Sequence, residues 1–290
     1  MFEQIVPVAL ERHRHKKVRN TTQFDYAASF HIAYVTVHEF ARAAATYPIV
    51  FLEDKPNDGF RPVVLMGLQP GENLFVGADG AWNASYIPAM IRRYPFALSK
   101  GAEENRFVVC VDEASTLLSD TEGAPMFDEK GEPTQVIENV KRYLSELQQM
   151  DMLTQQFSRF LLTNNLLTPL NMRVKAAQAR NITGCYVINE ERLNAFSDAL
   201  FLEVRAKGFL PAMYAHLMSL PQIERLVQLS KAKTGPAATA AEAAPATPAA
   251  PAAPEAAAPS EVVSAPTAEP DDQAAAPAKP AARKRRSDAS

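Results

Sequence analysis

The stretch Gly71-Glu-Asn-Leu-Phe-Val-Gly-Ala-Asp-Gly-Ala-Trp-Asn-Ala-Ser-Tyr-Ile-Pro-Ala-Met-Ile-Arg-Arg-Tyr-Pro-Phe96 is the densest cluster of turn, aromatic and charged residues in the chain. It predicts a strand over Asn73 to Val76, a Gly-Ala-Asp-Gly turn, a short helix opened by Pro88, and a second strand from Tyr94. Trp82, the only tryptophan, sits at the joint, and Arg92 with Arg93 closes the helix. The stretch holds no recognisable catalytic machinery. Two readings of it stand side by side. In one, Trp82, Tyr86, Arg92, Arg93 and Tyr94 form a ligand-binding face that stacks a planar or sugar ligand and clamps an anion. In the other, Trp82 is core, Ile87, Met90 and Ile91 anchor the helix, and the arginines pair with Glu72 or Asp79.

Upstream, Phe30 to Val37 reads as a strand and Glu39 to Thr46 as a helix, which Tyr47-Pro48 stops because the residue before proline avoids the helical region. Ile49 to Glu53 and Pro62 to Leu68 are compact apolar runs bounded by turn clusters, and so read as strands. Gln69-Pro-Gly-Glu72 then predicts a tight turn, making residues 62 to 77 a hairpin. Arg106 to Asp112 reads as a strand buried on both faces. Hairpins and short pieces join these strands, not regular crossover helices, so the sheet is expected to be mostly antiparallel.

Downstream, Thr134 opens the longest helix. Val136, Val140, Tyr143, Leu147, Met150, Leu153, Phe157 and Phe160 draw one apolar stripe, with Lys141, Gln148, Gln149, Gln155 and Gln156 opposite. A stripe of that length can outrun a single sheet. Met172 to Lys175 and Ile182 to Ile188 read as a hairpin across Ala176 to Asn181. Helices follow from Asn189, over Ser197 to Lys207, over Leu210 to Leu217 and over Pro221 to Lys231. Ser219 with Gln222 resembles a capping box, and His216 reads as a hydrogen-bonded core histidine. The fold class is thus α+β: a mostly antiparallel sheet of about six strands, a long amphipathic helix and a C-terminal helical layer.

Composition divides the 290 residues in two. From Thr234 to Ser290, 33 of 57 residues are Ala or Pro and none is aromatic, so this tail cannot offset its chain entropy and is expected to be disordered. It closes on the basic run Arg283-Lys-Arg-Arg286, which suits an acidic partner or an anionic surface. Residues 1–233 hold every aromatic residue and read as one domain. The net charge is −3, and the tail's 5 basic and 7 acidic residues leave the body near −1, which gives no case for nucleic acid. Arg12-His-Arg-His-Lys-Lys-Val-Arg19 reads as a solvated basic arm. Cys110 and Cys185 sit in apolar runs and read as buried, reduced thiols. The N-terminus lacks the pattern of a secretory signal and no run is long and apolar enough to span a membrane, so a cytoplasmic location is the expectation.

Chemistry-bearing motifs are absent. The chain has no Gly-x-x-x-x-Gly-Lys-Ser/Thr, Gly-x-Gly-x-x-Gly, Gly-x-Ser-x-Gly, His-x-x-x-His or Cys-x-x-Cys pattern. Asp128-Glu-Lys-Gly131 invites a calcium reading, but Lys130 stands where a ligand is required. No cofactor, metal site or catalytic set is therefore expected. The sequence leaves catalysis undecided and favours binding.

The central string, Gly-Glu-Asn-Leu-Phe-Val followed by Asp-Gly-x-Trp, Tyr-Ile-Pro-Ala and Ile-Arg-Arg-Tyr-Pro-Phe, resembles the hallmark of the bacterial SapC family. The resemblance extends to Tyr47-Pro-Ile-Val-Phe51, Phe127-Asp-Glu-Lys-Gly-Glu-Pro133 and Tyr214-Ala-His-Leu-Met-Ser-Leu220, and covers roughly residues 5 to 230. It implies a Gram-negative protein connected with a paracrystalline surface layer or, through gene neighbours, with TonB-dependent uptake. It brings no established catalytic residues. A transporter label sometimes attached to the family is at odds with the lack of a spanning segment. The expectation is a non-enzymatic binding or assembly protein with an unidentified protein partner. The alternative is a cytoplasmic ligand-binding module or an enzyme using the Trp82/Arg92/Arg93 face.

Overall fold

The computed structural model describes residues 2–100, 107–175 and 179–234, all within one unit of mutual contacts spanning residues 1–244. Arg106 and the tail from residue 235 onward lie outside the described residues, as do residues 176–178 of the expected hairpin loop. In chain order come β1 (Ile5–Pro7), α1 (Leu10–His13), β2 (Lys17–Val18), β3 (Ile32–Tyr34), α2 (Phe40–Ala43), β4 (Ile49–Asp54), β5 (Gly59–Leu65) and α3 (Ala89–Arg92). Then follow β6 (Phe96–Lys100), β7 (Phe107–Asp112), β8 (Leu118–Ser119), β9 (Ala124–Pro125), α4 (Gln135–Thr163), β10 (Leu167–Lys175) and β11 (Ala179–Ile188). The helices α5 (Glu190–Asn194), α6 (Asp198–Ala206), α7 (Leu210–Ser219) and α8 (Gln222–Thr234) finish the described chain. The class is α+β, as expected.

The strands do not form one sheet. Among the described residues they make three, in the orders β1-β7-β6, β10-β11-β4-β5-β3 and β8-β2-β9, every pairing antiparallel. The expected hairpin over 62–77 is absent for a definite reason. Both edges of β5 are already occupied, by β4 and by β3, the latter in the register Ile32↔Leu65 and Tyr34↔Val63. The stretch 73–76 forms no ladder with β5: Leu74 N donates to Met66 O at 2.9 Å, just past the end of β5, and Val76 makes an isolated bridge with Trp82. Asn73 is buried there and turns inward, accepting from Phe75 N at 2.9 Å and donating to Ala27 O at 3.0 Å. Such side-chain bonding to backbone offers the chain an alternative to a ladder.

The core falls into two clusters bridged by α4. At 1.5 Å per residue its 29 residues reach about 44 Å. Ile137 and Leu144 pack with Phe96, Val111 and Met126 beside the three-stranded sheet. Phe157, Phe160 and Leu161 belong to the larger cluster with Phe40 and Phe51. The helix does outrun a single sheet, but each of its halves packs into a core cluster of its own chain. The buried line is also displaced from the expected stripe. Val136, Val140, Tyr143, Leu147, Met150 and Leu153 are only half-buried, while Thr154 and Ser158 are buried. Two polar residues on the inner face hid the true line from a count of apolar positions.

Four other expectations change. The basic run is docked: Arg12 and His13 meet Glu113, Lys16 meets Asp120, and Arg19 meets Glu122, with His13 fully buried. β7 is buried only over Cys110–Asp112, and Phe107 is exposed. Ser219 makes no capping box; its hydroxyl accepts from Ile49 N at 2.9 Å and donates to His216 O at 2.6 Å, tying α7 to β4. The arginines pair with neither Glu72 nor Asp79, whose carboxylates accept from Leu68 N and Ala81 N. Other readings hold: Cys110 and Cys185 are buried free thiols, and His216 is a core residue that accepts from Ile188 N at 3.0 Å.

Candidate functional site

Local chemistry holds α3 in place. Thr36 and Glu39 form a capping box, a Thr-x-x-Glu spacing that satisfies the otherwise orphaned donors of a helical start. Glu39 goes further. Its Oε2 accepts from Thr36 N and Oγ1 at 2.8 and 3.0 Å, and its Oε1 accepts from Tyr86 Oη at 2.7 Å and Ala89 N at 2.8 Å. One buried carboxylate thus binds the first turn of α3, Tyr86 and the segment before α2 into a unit.

Three depressions ring α3 where it meets α4, of about 370, 290 and 230 Å³. Arg92 borders the first two, Arg93 the first and third, and Glu39 the second and third. The largest is a crevice flanked by Tyr26, Tyr94 and Tyr143, with Val136, Val140 and Leu144 supplying an apolar wall. Tyr26 and Tyr94 stack with centroids 4.4 Å apart. Burial, with Tyr94 nearby, pushes the Tyr26 phenol up to about 12, and burial also raises Tyr94 and Tyr143. These phenols stay protonated near neutral pH and serve as hydrogen-bonding and stacking groups.

The structure separates the five predicted site residues. Trp82 borders none of the three depressions. Its indole N–H donates to Tyr47 Oη at 2.9 Å and to Tyr86 O at 3.1 Å, and its ring meets Phe24 edge-on, so it is a half-buried packing residue. Tyr86 borders the 290 Å³ depression with Arg92, whose guanidinium lies 5.7 Å from the ring centres of both Tyr86 and Tyr143. Arg92 Nε donates to Ile87 O at 2.9 Å. Arg92, Arg93 and Tyr94 come together on the crevice.

Arg93 is the anomaly. Its Nε is out of solvent with no hydrogen-bond partner, and among the described residues no carboxylate forms an ion pair with it. Its guanidinium sits 5.4 Å from the Phe2 ring centre, a partial compensation. Burial lowers its pKa from the ordinary arginine value, though a guanidinium remains charged at any physiological pH. A half-buried guanidinium with no counter-charge among the described residues favours an anion beside it.

The sequence missed Tyr26, Tyr143 and Glu39. For Glu39 a signal existed, the Thr36-x-x-Glu39 spacing. Tyr26 and Tyr143 lie too far from the arginines along the chain for any local pattern to join them. Among the described residues no three His, Cys, Asp or Glu side chains gather as metal ligands, and no helix is long and apolar enough to cross a membrane.

No curated protein and no solved structure matches this chain. The SapC family profile matches residues 9–226, a span that takes in α3, the crevice and the docked basic run. On that match the chain belongs to the SapC family.

Proposed function

We propose that this chain is a non-enzymatic binding protein whose crevice beside α3 takes an organic anion. The carboxylate or phosphate of the ligand meets Arg93, with Arg92 alongside, and its flat or apolar part lies among Tyr26, Tyr94 and Tyr143. The observation that carries this reading is Arg93, a half-buried guanidinium with an unsatisfied Nε and no counter-charge among the described residues. The phenols support binding over chemistry, since burial holds them in the protonated form. In this reading residues 1–233 are the binding body and residues 234–290 a tether whose basic end, Arg283 to Arg286, meets an anionic partner. The link to a surface layer or to outer-membrane uptake rests on the associations of the family alone.

Titration of the full-length chain with benzoate, phenyl phosphate and inorganic phosphate tests the site, read by calorimetry and by amide chemical shifts. An aryl anion should bind saturably and more tightly than inorganic phosphate. Arg93→Ala should abolish the binding without lowering the melting temperature, and Arg93→Lys should retain part of it. Equal binding by Arg93→Ala, or no saturable binding of either aryl anion, would overturn the reading.

A further inference from the structure

A fourth cavity, of about 230 Å³, lies between the β4–β5 turn and the C-terminal half of α4. Its walls are part polar and part apolar, with both signs of charge. Asp54, Asp58 and Arg61 come from the β4–β5 hairpin and Asp151 and Arg159 from α4, with Phe60 and Leu162 as apolar surfaces. Arg61 Nε sits 2.5 Å from Asp54 Oδ2, and Asn57 Nδ2 donates to the same oxygen at 2.7 Å. Tyr34 Oη donates to Asp151 Oδ1 at 2.5 Å, and Gln155 Nε2 donates to Asp151 Oδ2 at 2.7 Å.

One group there is unaccounted for. Ser158, on the inner face of α4, is 4% exposed, lines the cavity, and has a hydroxyl with no hydrogen-bond partner. One turn earlier Thr154 lines the same cavity and is satisfied, donating to Met150 O at 2.7 Å and accepting from Val37 N at 2.9 Å. A buried, unpaired hydroxyl is destabilising, so a group that pairs with it is favoured.

We propose that this cavity binds a neutral polyhydroxylated ligand of single-sugar size, with Ser158, Asp151 and Asp58 hydrogen-bonding its hydroxyls and Phe60 covering its C–H face. The volume suits that class: at about 30 Å³ per water, 230 Å³ is the room of roughly eight waters. Charge suits it too. Three carboxylates against two guanidiniums disfavour an anion, while fixed acceptors and donors side by side match a hydroxyl, which is both donor and acceptor. It shares no lining residue with the Arg93 crevice, and adjoins, through Tyr34, Arg61 and Asp151, the 230 Å³ depression beside α3.

The test uses the full-length chain with D-glucose, D-galactose and N-acetylglucosamine as probes, and inorganic phosphate and ethylammonium as charged controls. Saturation-transfer NMR detects binding, and amide shifts on Gln155 to Arg159 locate it. At least one sugar should bind, with shifts confined to this cavity. Ser158→Ala should weaken binding about threefold to tenfold, the worth of one neutral hydrogen bond. Asp58→Gly, at the exposed rim and suited to that residue's left-handed backbone, should weaken it similarly, and Arg93→Ala should leave it unchanged. Binding by none of the three sugars, binding of only phosphate or ethylammonium, or sugar binding unaffected by both Ser158→Ala and Asp58→Gly would each overturn the proposal.

Discussion

Glu39 shows how much one buried side chain can organise. It is a carboxylate 6% exposed that accepts four hydrogen bonds and, among the described residues, has no cation bonded to it. Four donors converge on this one group, and a neutral amide in its place must turn a donor toward one of them. Glu39→Gln should therefore destabilise the fold by about 2 kcal/mol, measured by urea denaturation, and should disturb Tyr86 and the start of α3 first. His216 makes the opposite case. Its Nε2 accepts from Ile188 N, its Nδ1 has no partner, and burial pushes its pKa down to about 3. The sign follows from that depression. Below its ordinary value of 6.5 the unfolded chain takes up a proton that the folded chain refuses, so stability is lost as pH falls from 6.5 towards 3. The contribution approaches about 1.4 kcal/mol per pH unit within that window. His216→Gln, which keeps an acceptor for Ile188 N, should remove this part of the pH dependence when denaturation curves at pH 7 and pH 5 are compared.

At the scale of elements, α4 is the member on which both cores depend. Leu144→Ala empties a site in the cluster with Phe96 and Val111, and Phe157→Ala a site in the cluster with Phe40 and Phe51. Each should cost about 3–5 kcal/mol. If the helix couples the clusters, either variant should still unfold in a single transition when followed by tryptophan fluorescence and by far-UV circular dichroism. The Ser219 hydroxyl joins α7 to β4 by the two bonds described above. Ser219→Ala leaves Ile49 N unpaired, at a cost of about 1–3 kcal/mol in thermal or chemical denaturation. Elements were the most legible level of the sequence. The helix expected over Glu39 to Thr46 is present but ends earlier, at Ala43, and Ile49 to Glu53 did begin a strand, because apolar runs act within a few residues. The stripe on α4 was misplaced because Thr154 and Ser158 are buried through partners and surroundings that no hydropathy pattern records.

For the whole molecule, the described residues hold both core clusters, so in the tether reading removal of residues 234–290 should leave the melting temperature unchanged while weakening association with an anionic partner. Loss of folding on that deletion would refute the tether. The candidate site was legible only in part. Arg92, Arg93 and Tyr94 were named from one string and do share a crevice, while Trp82 proved to be held by Tyr47, Tyr86 and Phe24.

By itself the sequence determined the antiparallel α+β class, the long helix, the core histidine, the buried thiols and the family. All of these rest on local periodicity, turn chemistry or a continuous string. Only the tertiary structure decided that, among the described residues, the strands divide among three sheets, that the basic run docks on acidic residues a hundred positions away, and that Arg93 finds no counter-charge among the described residues. Which edge a strand takes, and which charge finds a partner, is settled between segments distant along the chain, and no local pattern carries that information.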